Sequence, residues 1–269
     1  MEPLSLRMVS IRSKVGDVEG NVSRLVRLSR EAASEGVDMV CFPELSVTGY
    51  SMPASADHAM SDGDERLDPI IEASEDIAIC FGYVDQGRHI VQAIAEGGRI
   101  VGRYSKTHLG EMESECMAHG DSLPVIRTGR ANVGIQICWE SHFPEITGTY
   151  ALNGADMVLM PFASGLGGMR RQSSWDRCLP ARAYDNTVFV ACCNACGDNG
   201  LGTVFGGGAC IYNVRGEAMA CEVGRCSVTA TLDPGQMERI RAEGYESMRD
   251  VYFLDKRRPE LYGRIVTGL

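Results

Sequence analysis

"GVDMVCFP" (residues 36–43) recurs almost letter for letter as "GADMVLMP" (residues 154–161). In each copy the glycine closes a helix-patterned stretch, the apolar run reads as a buried strand, and the proline turns the chain into a loop. Two helix-to-strand units therefore occupy equivalent places in a layered fold. Before the first copy, residues 6–10 read as a short strand. After the Gly16-Asp17 turn, Val22, Leu25, Val26, Ala32 and Ala33 fall at helical spacing. Further strands are expected at 77–84, 90–95, 133–137, 187–192 and 209–212, with helical patterns at 145–153 and 180–185. Strands and helices mixed in this way, with 31 glycines between them, indicate an α/β layered fold.

A chain of 269 residues that is 44% hydrophobic can bury a large core, and no linker-like stretch divides it, so one domain over 1–269 is expected. After Asp233-Pro234 the sequence turns charged, and "DKRRPELYG" is basic; residues 240–269 read as a peripheral C-terminal arm of the kind that packs on a partner subunit. With 26 basic against 36 acidic residues, the chain lacks the positive field that nucleic-acid binding needs. No apolar run approaches the length of a membrane span, and Met1-Glu2-Pro3-Leu4-Ser5 does not begin a basic-then-apolar leader, so a cytoplasmic protein is expected. Eleven irregularly spaced cysteines suit reduced, mostly buried thiols better than a disulfide framework.

Three polar residues follow apolar strands. Glu44 comes directly after Pro43, Lys106 lies in "GRYSKTHLGEMESE", and Cys138 interrupts "VGIQICWESHFPE" (residues 133–145). Singly, each has an ordinary reading: a surface carboxylate, a solvated lysine, a small core thiol. Gathered at one edge of a sheet, they would form a site. A cysteine attacks as thiolate, so it needs a base to take its proton and a cation to stabilise charge.

These segments resemble the nitrilase, or carbon–nitrogen hydrolase, superfamily over nearly the whole chain. "GDVEGNVSRLVRLSREAASEGVDMVCFPELSVTGY" is similar to the segment that ends in the family's base. "YSKTHL" resembles its lysine segment and "ICWESHFPE" its nucleophile segment, while "NGADMVLMPFAS", "ARAYDNTVFVACCNACG" and "RRPELYG" match later blocks in order. The resemblance implies a four-layer α-β-β-α sandwich, a Glu44–Lys106–Cys138 triad, and a second carboxylate at Glu113, with Glu111 and Glu115 as rivals. It further implies that Glu44 acts as base, that Lys106 and the Trp139 N–H stabilise an oxyanion, and that Tyr50, Trp139 and His142 bind substrate. It implies a homodimer or larger assembly, a small-molecule substrate, and no metal or organic cofactor.

Trp139-Glu140 resembles the dipeptide of true nitrilases, whereas Phe143-Pro144-Glu145 resembles the amidase and carbamoylase branches. The compact length favours hydrolysis of a small linear amide or N-carbamoyl compound. Nitrile hydrolysis and a non-catalytic scaffold are the alternatives. His142 stands where ω-amidase-like relatives carry an arginine, and an imidazole cannot reproduce a bidentate carboxylate clamp, which counts against ω-carboxylate amides. The "CCNAC" cluster (residues 192–196) lacks the second cysteine pair a structural zinc site needs and reads as packed thiols. "GLGTVFGGG" (residues 200–208) has no phosphate-loop spacing and reads as a turn near the site; Met169 and Trp175 line a pocket or pack in the core.

Overall fold

The computed structural model describes residues 1–243 and 251–267. One six-stranded sheet contains β1 (Leu4–Val9), β2 (Met39–Cys41), β3 (Ala78–Val84), β4 (Ile90–Glu96), β5 (Arg99–Ser105) and, at its edge, β14 (Ser227–Leu232), in the order β14-β1-β2-β3-β4-β5. The other contains β6 (Ile126–Arg127), β7 (Asn132–Ile135), β8 (Met157–Phe162), β9 (Phe189–Asn194), β12 (Ala209–Tyr212) and β13 (Ala218–Glu222), in the order β13-β12-β9-β8-β7-β6. A short hairpin of β10 (Cys196–Asp198) and β11 (Val204–Gly206) stands apart. The helices that matter here are α1 (Val18–Ser34), α2 (Asp68–Ala73), α3 (Glu111–Ser114), α4 (Pro144–Leu152), α5 (Gly168–Asp176), α6 (Leu179–Asn186) and α7 (Gly235–Glu243).

The repeated octapeptides supply β2 and β8, each the middle strand of a parallel triplet. Alternation along each strand sorts its side chains between two cores. Met39, Cys41, Met157 and Leu159 enter the core between the sheets. Val40 faces the layer that contains α1 and α2, while Val158 and Met160 face the layer of α4, α5 and α6. Three apolar cores in succession make the four-layer α-β-β-α sandwich, each buried aliphatic side chain contributing about 1.5–3 kcal/mol.

The two aspartates of the repeat act alike. Asp38 accepts the Ser5 N–H at 2.8 Å, and Asp156 accepts the Asn132 N–H at 2.8 Å. Each fixes the start of the neighbouring strand. Gly36 and Gly154 both take left-handed φ, 79° and 86°, which glycine adopts without a Cβ penalty.

One expectation needs correction. Nine cysteines are free thiols, but Cys210 and Cys221 form a disulfide, being direct cross-strand partners of β12 and β13. Spacing in the sequence carries no information on that register. The proposed arm boundary at 240 falls inside α7, where Ile240 is fully buried in the core between the sheets. Of the rest of the 240–269 segment, 244–250 and 268–269 lie outside the described residues; Phe253 packs its ring 5.4 Å from Tyr184 of α6.

Candidate active site

The nucleophile segment is shaped by what surrounds it. Val133, Ile135 and Ile137 enter the core between the sheets, while Gly134 leaves room for the Tyr150 ring, which a Cβ would meet at 2.6 Å. The strand ends at Ile135, and Cys138 opens a 3-10 turn over Cys138–His142. Cys138 itself has φ 47°, a left-handed conformation costly for a residue with a Cβ. The thiol is thus presented by a strained turn just beyond the strand.

Glu140 holds that turn in place. Its Oε2 accepts the Ile137 N–H at 2.7 Å, closing the start of the turn. Its Oε1 accepts from the Tyr104 hydroxyl (2.6 Å), Thr107 N–H (2.8 Å), Thr107 Oγ1 (2.7 Å) and His108 N–H (3.0 Å). Burial opposes ionisation of Glu140, but the hydrogen bonds from His108, Tyr104, Ile137 and Thr107 outweigh it and lower the pKa. One carboxylate therefore joins the cysteine turn to the lysine turn.

Lys106 follows β5 and is fully buried. Its Nζ donates to Glu44 Oε1 and to Glu113 Oε1, both at 2.7 Å. Gly120 lets the following loop close on this turn: its N–H donates to Lys106 O, and a Cβ there would lie 2.1 Å from Ser105 O. Burial alone would lower the Lys106 pKa, but the charges of Glu44, Cys138 and Glu113 raise it, so the amine stays protonated.

Glu44 lies just past β2 and is 2% exposed. Its Oε2 accepts the Ala163 N–H at 3.0 Å, and the neighbouring Cys138 thiol favours its ionised form. Burial pushes its pKa up to about 7, Glu113 adds to the rise, and Lys106 restrains it. Cys138 is pushed up to about 12, by burial first and then by the Glu44 charge, against the pull of Lys106 and the Ala163 N–H.

Of the three rival glutamates, Glu113 is buried and bonded to Lys106, whereas Glu111 and Glu115 are exposed. Glu113 is also fixed by the Gly110 N–H at 2.7 Å and the Tyr50 hydroxyl at 2.8 Å. Tyr50 therefore uses its hydroxyl on a carboxylate, while its ring meets Phe205 edge-on at 6.2 Å. Trp139 and His142 lie on the exposed side of the turn with their rings 5.3 Å apart. Trp175 is fully buried and Met169 exposed. The "CCNAC" thiols diverge: Cys192 packs in the α-facing core, Cys193 between the sheets, and Cys196 donates to Ser10 O. Sequence reasoning missed the Ala163 N–H and the tie through Glu140, because a backbone amide has no letter and a glutamate ordinarily reads as exposed.

Residues 5–242 match the family model described as carbon–nitrogen hydrolase, and the chain belongs to that family. The chain is 24% identical to a probable nitrilase of Schizosaccharomyces pombe over 98% of both chains. It is also 24% identical to Omega-amidase NIT2 of Homo sapiens, over 95% of this chain and 99% of that one. Among solved structures, a mutant of the Nesterenkonia AN1 amidase superposes with TM-score 0.79 over 97% of each chain at 24% identity. A carbon–nitrogen hydrolase from Helicobacter pylori superposes with TM-score 0.83 over 99% of each at 19% identity. The protein is a carbon–nitrogen hydrolase of the α-β-β-α type.

Proposed function

We propose that the protein hydrolyses a small linear amide or N-carbamoyl compound through a Cys138 thioester, with Glu44, Lys106 and Glu113 as the other catalytic groups. The observation that carries this is the Lys106 ammonium, bonded at 2.7 Å to two buried carboxylates, one of which, Glu44, also interacts with the Cys138 thiol. Omega-amidase and amidase relatives support the amide as substrate.

Glu44 takes the thiol proton as the sulfur attacks the carbonyl carbon. The resulting oxyanion is stabilised by Lys106 and by the Trp139 N–H, an early amide of the 3-10 turn and so among those without a partner inside the turn. The C–N bond breaks, Glu44 returns the proton to nitrogen, and ammonia or an amine leaves. Glu44 then deprotonates a water molecule, and the hydroxide attacks the thioester carbonyl. Collapse expels the thiolate, which recovers its proton from Glu44. Glu113, bonded to Lys106 throughout, keeps the ammonium aimed and charged. No step calls on a metal or organic cofactor.

An ammonia-release screen across amides, carbamoyl compounds and nitriles, with Cys138→Ala as blank, tests this. Turnover of amides by the wild type alone is expected; turnover confined to nitriles, or equal in the blank, sinks it. Iodoacetamide labelling separates an enzyme from a scaffold, since fast, pH-dependent alkylation at Cys138 is expected only of the enzyme. We further read the protein as a cytoplasmic homodimer. The acidic composition and nine free thiols support the compartment, and the family resemblance supports the assembly. Light scattering of the purified protein checks the latter.

A further inference from the structure

Arg171 is a buried cation that the mechanism does not use. It is 6% exposed, on the first turns of α5, one helical turn before Trp175. Its guanidinium carbon lies 4.9 Å from the Phe162 ring centre and 5.2 Å from that of Trp175. It donates to Ser174 Oγ at 2.7 Å, while its Nε is buried with no partner. Among the described residues no carboxylate lies within ion-pair distance of it.

The side chain lies over Phe162 and Trp175, rings of the cluster against which Cys138 packs. Phe162, under the guanidinium, directly precedes Ala163, whose N–H donates to Glu44 Oε2 at 3.0 Å. Cys138, Phe162 and Trp175 belong to the same packed cluster. The negative groups that act on Arg171 are thiols, Cys138 first, then Cys192 and Cys178. Burial raises all three above their ordinary values, so at neutral pH they are uncharged.

A guanidinium has five donors, and one protein acceptor is in place here. Two aromatic faces recover part of the desolvation cost but satisfy none of the in-plane N–H groups. A planar carboxylate would satisfy them as a bidentate pair. The nearby glutamates cannot serve, because Glu44 and Glu113 are both held by Lys106.

We infer that Arg171 is a specificity-determining residue that reads a carboxylate on the substrate, making the substrate class a short linear amide or carbamoyl compound with an anionic chain. This rests on the amidase reading above. It also offers a substrate carboxylate a partner that the exposed His142 does not provide, so a histidine at that position does not rule out anionic amides.

The test compares succinamate with butyramide, in which a neutral methyl stands in place of the carboxylate. For the wild type, a higher kcat/KM on succinamate is expected. Arg171→Gln should cut the succinamate-to-butyramide ratio about 10- to 100-fold, chiefly through KM, and Arg171→Lys should restore part of it. A wild type with no preference for succinamate overturns the assignment and leaves the amidase reading standing. Losses by Arg171→Gln that are equal on both substrates also overturn it, since a structural role or an effect on the thiolate predicts that pattern. Calorimetric binding of succinamate to Cys138→Ala, with and without Arg171→Gln, supplies a readout independent of turnover. Arg171-dependent binding in a protein that cleaves no amide would retain the anion site and sink the amidase reading.

Discussion

The two octapeptides fold alike and end differently. Each provides an aspartate that anchors a neighbouring strand and a middle strand that faces two cores. Beyond Pro43, however, comes Glu44, and beyond Pro161 come Phe162 and Ala163. The first edge contributes an acid; the second contributes a backbone N–H that holds that acid at 3.0 Å. Duplication of a scaffold thus yields a site whose two sides are chemically complementary. The shared residues serve folding, and chemistry enters just past the proline that ends each copy.

The sharpest way to break this asymmetry is to neutralise the acid. Glu44→Gln keeps the shape and the Ala163 contact but cannot accept a thiol proton, so kcat should fall by roughly 10²–10⁴-fold. Steady-state ammonia release measures it, and retained turnover would remove Glu44 from the role of base. The pH profile sharpens the same point. With Glu44 at about 7, kcat/KM should climb about tenfold per pH unit below 7 and level off above it, because only the carboxylate accepts the proton. A limb centred near 4.5 would mean that burial does not govern this group.

Next in size is the tie between the cysteine and lysine turns. Glu140→Gln exchanges a charged acceptor for an amide that must turn its NH2 toward one of the existing donors. A loss of about 2–4 kcal/mol in urea unfolding is expected, with slower alkylation of Cys138. Because the folded pKa of Glu140 is depressed, its contribution is present above the unfolded value near 4.5 and is lost as pH falls through the lower folded value. Glu140→Gln should therefore flatten the acid limb of stability; an unchanged limb would argue against an ionised Glu140.

These cases show why some of the molecule was legible in the letters and some was not. Glu44 and Cys138 each follow an apolar run, whereas Lys106 follows the half-exposed β5; the central strands announce themselves by near-continuous hydrophobicity. β14 pairs with β1 across almost the whole chain and alternates exposed with buried residues, so nothing local marks its partner. Glu113 is one of three glutamates spaced two apart; the resemblance points to it, and the orientation of α3 buries it against Lys106. Arg171, in a polar stretch, has the letters of a solvated side chain; its burial comes from Phe162 and Trp175, brought there by folding.

The smallest expected effect tests the half of the comparison in which the copies agree. Asp38 and Asp156 each hold one backbone N–H and one arginine, Arg130 at 3.2 Å and Arg241 at 3.4 Å respectively. They differ in exposure: Asp156 is 4% exposed, whereas Asp38 is half-buried. Replacing either by Asn should cost about 1–2 kcal/mol in urea unfolding, more at 156 because water cannot compensate there. The double variant should be close to additive, since the two aspartates anchor different sheets and share no partner. Equal costs would show that the anchor depends on the N–H bond alone. A larger cost at 38 would mean that the repeats, alike in geometry, do not bear on stability in the same way.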